Sequence, residues 1–369
     1  MIRQRATKSG LRYDVRLRDP QGKVYNRTFR TKKEALAFDA AERTDRHRGT
    51  WYDERRGQQS FDSYVNQWWP TQVDLRPSSR ARDASYLRTH IQPHFGAFAL
   101  GDITPMMVRA WVAELNASKA PATVQKALQI LRKILATAVS DGLLASNPAT
   151  GVKTPRIEQK EMRFLGLDEI EDLAAAMDPR YRAAVHLFSF GGLRAGELFG
   201  LRGAAVDPLR KRVEIREAVV EVHGQLHIGP PKTDRSRRSV PIPKVVATIL
   251  SDHMKASGTG PDDFVFPSPN GQAVRLRLWR QRFWTPAIAA AGVAPLRVHD
   301  LRHTAVALWI AAGASPKEVA DRAGHRSVVT VLDRYGHLLP GTEERVNDAL
   351  DELHEAARRD RSRRAGGTS

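Results

Sequence analysis

The sequence predicts a multidomain, largely helical protein: a small α+β block of sheet plus helix at the N-terminus, an all-α block, and a larger mixed α+β block that is mainly helical. Three observations predict it. Two alternating segments, "LRYDVRLR" (11–18) and "KVYNRTFR" (23–30), flank the Pro/Gly turn "DPQGK" as the arms of a hairpin would. In "TVQKALQILRKILATAVSDG", Val124, Ala127, Leu128, Leu131, Ile134, Leu135 and Ala138 keep one helical face apolar, and Gly142 sits where such a helix stops. Farther on, the β-rich pieces "RVEIREAVVEV", "QLHIG" and "RSVPI" lie between helical patterns.

In order, the hairpin leads to a helix expected from about Lys32 to Arg48, with Ala35, Leu36, Phe38 and Ala40 on its apolar side. This first block, 1–56, carries 16 basic and 8 acidic side chains, so it alone has an excess of eight positive charges. Such a sheet is suited to lie against DNA, with Arg12, Arg16, Arg18, Arg27 and Arg30 as candidate contacts. The helical block spans 57–150. Opposite its apolar stripe stand Lys126, Arg132 and Lys133, a solvated face unless the block binds DNA, in which case they are backbone contacts. A linker is read at 151–162, within "ASNPATGVKTPRIEQKEM", from Pro148, Gly151, Pro155 and the charges that follow.

The third block, 163–355, opens with a helix in which Asp168 and Glu171 have the spacing of a capping box. The apolar "YRAAVHLFSFGGLRAGELFGL" follows, then the strands, then helices from Pro243 onward. "GASPKEVADRAGH" is written as a helix start, with Ser315 as N-cap, Pro316 at the first helical position and Glu318 three residues after the cap. Residues 356–369 read as a basic, disordered tail.

Composition narrows the chemistry. The 369 residues are 41% hydrophobic, enough for two or three cores. No apolar run approaches a membrane span, and the N-terminus has no apolar stretch after its first charges, so a cytoplasmic protein is expected. With no cysteine, disulfides, thiolate nucleophiles and cysteine-ligated zinc are excluded. A net charge of +18, with 45 of the 59 basic residues being arginine, points to a polyanion and above all to nucleic acid.

Several polar residues are not explained by local structure. Arg194, in "GGLRAGEL", opens a helix just after two glycines, with Glu197 one turn on; the pair is either a structural clasp or a held phosphate grip. Lys232 lies in the turn "GPPKTDRSRRSVPI", where lysines are ordinarily solvated. His299, Arg302 and His303 crowd the first turn of the otherwise apolar helix "VHDLRHTAVALWIAAG". A helix dipole disfavours cations there, so an anionic guest is indicated. His325, in "AGHRS", follows another helix end, ten residues before Tyr335 in "LDRYGHLLP".

"GLRAGEL", "PPKTDRSRRSVPI", "HDLRHTAVALWIAAG", "AGHRS" and "DRYGHL", in this order and at these spacings, resemble the tyrosine recombinase (phage integrase) family. The helical block is similar to that family's core-binding domain, and the first block to the arm-type DNA-binding domain of phage and mobile-element integrases. The resemblance implies a catalytic domain of tyrosine recombinase type. Its site would comprise Arg194, Lys232, His299, Arg302 and His325 around one DNA phosphate, with Tyr335 as nucleophile. Lys232 would be the general acid, His299 the proton partner of Tyr335, His325 a hydrogen-bond donor to phosphate, and Glu197 the group that orients Arg194. His303 reads as structural, and His337 as support for the nucleophile's segment. No metal or cofactor is implied.

The implied activity is site-specific integration or excision of a phage or mobile element through a 3′-phosphotyrosyl link. Implied partners are double-stranded DNA attachment sites of core and arm type, three further copies of the chain on DNA, a host DNA-bending protein and a directionality factor. Three alternatives compete with the implied activity: relaxation by a type IB topoisomerase, a metal-dependent nuclease using His299 and His303, and a noncatalytic DNA-binding regulator. The arm-like first block argues against the first, and Arg302 beside a divalent cation against the second.

Overall fold

The computed structural model describes residues 2–7, 10–18, 24–48, 56–157, 162–230, 237–325, 327–339 and 342–365. The chain forms two compact units, Met1–Gln159 and Lys160–Ser369.

In the first unit the expected hairpin is β2 (Gly10–Arg18) and β3 (Val24–Phe29), and a third strand, β1 (Ile2–Thr7), which the sequence did not announce, pairs with β2. All pairing is antiparallel. The expected helix, α1, runs Lys32–Arg48. Its Ala35 and Phe38 pack on Val15, Leu17, Tyr13, Phe29 and Ile2, so one face of the sheet is apolar and covered.

Register assigns every strand arginine to a face, because directly paired residues share a side of the sheet. Arg12 pairs with Arg5, Asp14 with Arg3 and Thr28, and Arg16 with Asn26, all on the face away from α1; Arg18, paired with Val24, has the same parity. Arg27 pairs with Val15, which places it on the helix side, where its guanidinium lies 4.7 Å from the Phe38 ring centroid. Arg27 therefore stands on the opposite face of the sheet from Arg12 and Arg16. Arg30 follows β3 at an exposed bend.

The helical part comprises α2 (Phe61–Trp68), α3 (Pro77–Tyr86), α4 (Gln92–Phe95), α5 (Pro105–Ser118) and α6 (Pro121–Ser140). The apolar stripe of α6 is fully buried, and the chain turns at Gly142 with φ of 70°. The stretch read as a linker starts later than Pro148 suggested. Ala149 and Val152 belong to this core, and Arg132 donates from Nε to the Ala149 carbonyl at 3.0 Å and from Nη2 to that of Val152. Arg132 thus fastens the end of the helical block and is not presented for DNA. Lys126 pairs with Asp83 at 3.4 Å, and exposed Lys133 lies over the Trp68 ring.

In the second unit the helices are α7 (Leu167–Ala176), α8 (Arg182–Gly191) and α9 (Ala195–Phe199). α7 is capped two residues earlier than expected: Glu169, not Glu171, closes on the Gly166 N–H at 2.9 Å. The strands β4 (Val206–Asp207), β5 (Arg212–Ile215) and β8 (Arg238–Pro241) form one sheet in the order β4-β5-β8, and β6 (Ala218–Val222) with β7 (Gln225–Gly229) forms a separate hairpin. That hairpin turns through His223 and Gly224, both with positive φ, as a two-residue turn requires. Then come α10 (Lys244–Ser257), α11 (Leu276–Trp279), α12 (Thr285–Ala290), α13 (Val298–Ala311), α14 (Pro316–Ala323), α15 (Val329–Tyr335) and α16 (Thr342–Ala365). Tyr181, Phe188, Phe199, Trp279 and Trp284 centre the core beneath α8.

α16 continues to Ala365, through residues 356–365 of the stretch read as a disordered tail, and residues 366–369 lie outside the described residues. Alanine, leucine, glutamate and arginine dominate its sequence, all strong helix formers, and Glu355 faces Arg359 one turn on.

Candidate active site

Two helix ends build the site. α8 is buried almost throughout and stops at Gly192, in the left-handed region with φ of 63°; a Cβ there would meet Trp309 at 2.6 Å. The chain turns at once into α9, which fixes Arg194 at the N-cap. Glu197, buried one turn on, accepts the Arg194 backbone N–H at 3.0 Å and its Nη1 at 2.7 Å. The geometry matches the orienting role expected of Glu197.

Glu197 has a second partner that sequence reading missed. Arg238 on β8 donates from Nη1 to Oε1 at 3.2 Å and from Nη2 to Oε2 at 3.0 Å, with its side chain only 8% exposed. Although burial pushes the Glu197 carboxyl upward, Arg238 and Arg194 together bring it below the usual range.

The other helix end is the C-terminus of α14, where carbonyls lack intrahelical partners and carry the negative end of the dipole. Three arginines take three successive carbonyls. Arg238 Nε donates to Arg322 O at 2.9 Å, Arg302 Nη2 to Ala323 O, and Arg194 Nη2 to Gly324 O at 3.3 Å. Arg302 also donates from Nη1 to the Gly192 carbonyl at 2.5 Å, tying the two helix ends together. Burial, then the Arg194 charge, lowers the Arg302 pKa to about 9, which leaves it cationic at neutral pH.

Asp300 accepts from the Arg297 backbone N–H at 2.7 Å and supplies the negative charge that the start of α13 otherwise lacks. His299, Arg302 and His303 share the adjoining turns. The ring of His299 is open to solvent on one side; surrounding protein and then the charges of His303 and Arg302 lower its pKa to about 4. His325 directly follows the α14 cap, its backbone N–H donating to Ala320 O at 2.9 Å. Burial and then Arg302 and Arg194 lower its pKa to about 4 as well, and its buried Nδ1 has no hydrogen-bond partner among the described residues.

Tyr335 ends α15 and is 1% exposed, packed among Val306, Ile310, Ala323 and Val331. Its hydroxyl meets Nδ1 of His303 at 2.5 Å. The ring that meets the hydroxyl is thus His303, read above as structural, and not His299, read above as the proton partner of Tyr335: His299 lies edge-on to His303, ring centroids 4.8 Å apart. Both histidines sit on α13 four residues apart, and nothing in the sequence distinguishes which reaches the phenol. Burial raises the Tyr335 pKa, and Arg302 and Arg334 only partly offset it.

The structure therefore brings together Arg194, Arg302, His299, His325 and Tyr335, with Glu197 and Arg238 behind them. Lys232 lies outside the described residues. His337 is exposed in the turn after Tyr335. Among the described residues no three His, Asp or Glu side chains converge as metal ligands, and no helix is long and apolar enough to cross a membrane.

Two family profiles match the chain: Phage integrase family over residues 163–341 and Phage integrase central domain over 61–154. A Mycobacterium tuberculosis protein named as a prophage phiRv2 integrase is 33% identical over 356 residues, covering 93% of both chains. Among solved structures, the Tn1549 transposon integrase in complex with a circular intermediate DNA aligns with a TM-score of 0.68 at 17% identity, covering 80% of this chain and 99% of that one. A lambda integrase dimer bound to a COC' core site aligns with a TM-score of 0.55 at 16% identity, covering 88% and 91%. The chain belongs to the phage integrase family of tyrosine recombinases and is a site-specific recombinase of the integrase type.

Proposed function

We propose that the enzyme cleaves and rejoins double-stranded DNA through Tyr335. The hydroxyl attacks a scissile phosphodiester, the 5′ oxygen leaves, and the phosphate stays on the tyrosine as a 3′-phosphotyrosyl ester until another 5′ hydroxyl displaces it. The ester conserves the bond energy, so resealing needs no nucleotide cofactor. Negative charge grows on the nonbridging oxygens during attack, and Arg194 and Arg302 are the donors that meet it. Fixed charges of this kind do not reorganise during the reaction, and each is worth several kcal/mol in a water-poor site. His325, with its unpartnered Nδ1, is assigned to the phosphate. Lys232 is assigned as general acid to the leaving oxygen.

The observation that carries this reading is the convergence of three arginines on the end of α14 beside a buried tyrosine whose hydroxyl feels the Arg302 charge. Arg238 keeps Glu197 in place and so acts on Arg194 as a positioning residue. Around this centre we assign residues 1–56 to arm-type DNA sites, 57–150 to the core site and 163–355 to catalysis. Four protomers on two sites would exchange a phage or mobile element with the help of a host DNA-bending protein and a directionality factor.

Trapping on a nicked half-site tests the chemistry. Wild type should give a covalent protein–DNA adduct and Tyr335→Phe none; an adduct with Tyr335→Phe removes the reading. Relaxation of supercoiled DNA without sequence requirement and without recombinant product would favour a type IB topoisomerase activity instead. Recombination unaffected by Tyr335→Phe would favour a noncatalytic regulator.

A further inference from the structure

We propose that His303 is a catalytic residue, the base that takes the Tyr335 proton as the hydroxyl attacks. The inference deepens the reading of Tyr335 as nucleophile and depends on it. A buried phenol must place its proton on an acceptor, because an unsatisfied buried hydroxyl is costly. Tyr335 is 1% exposed, and the atom its hydroxyl meets is Nδ1 of His303, itself 6% exposed. Since the phenol is held neutral by burial, it donates, and Nδ1 must be the unprotonated ring nitrogen with the hydrogen on Nε2.

The surroundings suit a base. Burial, followed by Arg334, Arg297 and Arg302, lowers the His303 pKa, so the ring is neutral at physiological pH and ready to accept. Asp300, one turn back on α13, favours the imidazolium once it forms. His299 stands edge-on to His303 with ring centroids 4.8 Å apart and limits its rotation. Tyr335, Asp300, Arg297, Arg302, Arg334 and His299 are the titratable or charged groups that act on the imidazole.

The step balances without any further reactant. The Tyr335 O–H bond breaks and the proton passes to His303 Nδ1. The oxygen–phosphorus bond forms as the phosphorus–5′ oxygen bond breaks, and the leaving oxygen takes a proton from a separate acid, assigned to Lys232. On rejoining, the incoming 5′ hydroxyl gives its proton back to the deprotonated acid assigned to Lys232, the phosphorus–5′ oxygen bond re-forms as the tyrosyl ester breaks, and His303 returns the first proton to the Tyr335 oxygen.

Cleavage of two nicked half-sites by the full chain separates this role from leaving-group protonation. One substrate carries the normal 5′ oxygen, the other a 5′ bridging sulfur, which leaves without a proton. His303→Gln is expected to slow adduct formation on both by about 100-fold or more, with DNA affinity within about twofold of wild type, as loss of a general base predicts. His299→Gln is expected to slow the sulfur substrate less than His303→Gln does. Cleavage by His303→Gln at the wild-type rate overturns the proposal, and so does a loss confined to the oxygen substrate. Should His303→Gln fail to bind DNA, the histidine ¹⁵N spectrum decides. The His303 Nδ1 resonance of wild type should be that of an unprotonated nitrogen and should shift in Tyr335→Phe; a protonated Nδ1, or no shift, overturns the proposal. A covalent adduct formed by Tyr335→Phe would remove the nucleophile itself, whereas normal His303→Gln with inactive Tyr335→Phe removes only the base.

Discussion

Glu197 shows how much a single carboxylate can organise. It is 3% exposed and holds two guanidinium groups, Arg194 at 2.7 Å and Arg238 at 3.0 Å. Removing one member of a buried charge cluster leaves the others uncompensated, typically at about 3–5 kcal/mol. Glu197→Gln should therefore lower the melting temperature measurably and also slow cleavage, because Arg194 loses its anchor. Arg238→Met removes a cation from the same cluster and should cost less stability than Glu197→Gln; a larger loss for Arg238→Met would argue against the clasp. Arg194 and Glu197 were legible in sequence because their partnership is local, three residues apart. Arg238 left a fainter signal that went unread: in "RSVPI" the strand period of two places it on the same side as Val240, which is fully buried, and a charge on an inward position must have a partner. The choice between His299 and His303 was not legible at all, since both occupy one helical face and only the distant arrival of α15 selects between them.

At the level of elements, periodicity predicted existence well and roles less well. The α6 stripe, the hairpin, α1 and the capped start of α14 all follow from patterns confined to one segment. What escaped is what the elements do to one another. A tally of basic side chains could not separate Arg12 and Arg16 from Arg27, whereas register puts them on opposite faces. If the first block binds arm-type DNA as proposed, Arg12→Ala and Arg16→Ala should each lower the slope of log affinity against log salt by about 1, the value for a lost phosphate contact. Arg27→Ala should leave that slope unchanged. Its cost should appear as a stability loss of about 0.5–1 kcal/mol from the cation–π contact with Phe38. Equal slopes for all three variants would show that the helix-covered face also reaches DNA. Arg132 makes the same point in the helical block. Arg132→Met breaks two hydrogen bonds to the carbonyls of Ala149 and Val152 and should destabilise the unit by about 1–3 kcal/mol, read as a shift in urea midpoint.

At the scale of the whole molecule, the net charge of +18 is carried by both units, and in the second unit one cradle holds more cations than carboxylates. Arg194, Arg238 and Arg302 share one helix end, and the first two share the Glu197 carboxylate. Burial, and after it the neighbouring charges, keep the histidines beside them neutral: the pKa values of His299 and His325 fall from 6.5 to about 4, and that of His303 falls too. This has a consequence for stability with a definite sign. Between about pH 6.5 and 4 the unfolded chain binds protons at these histidines that the folded chain refuses, so acid favours unfolding. The contribution is complete above the ordinary histidine value and is lost as pH falls toward about 4. The carboxyls of Glu197 and Asp300 are held below their ordinary values of 4.5 and 3.8, so their contribution disappears only below that window. Melting temperature should accordingly decline from pH 6.5 to 4.5, and His299→Gln combined with His325→Gln should flatten that decline. A DNA phosphate in the cradle would reverse the preference, because an anion favours the imidazolium forms. The DNA-bound enzyme should lose less melting temperature over the same interval, and binding at pH 5.5 should take up protons, measurable as a buffer-dependent enthalpy in calorimetry. A buffer-independent enthalpy at that pH would mean that the phosphate lies away from both histidines, and the assignment of this cradle as the phosphate site would fail with it.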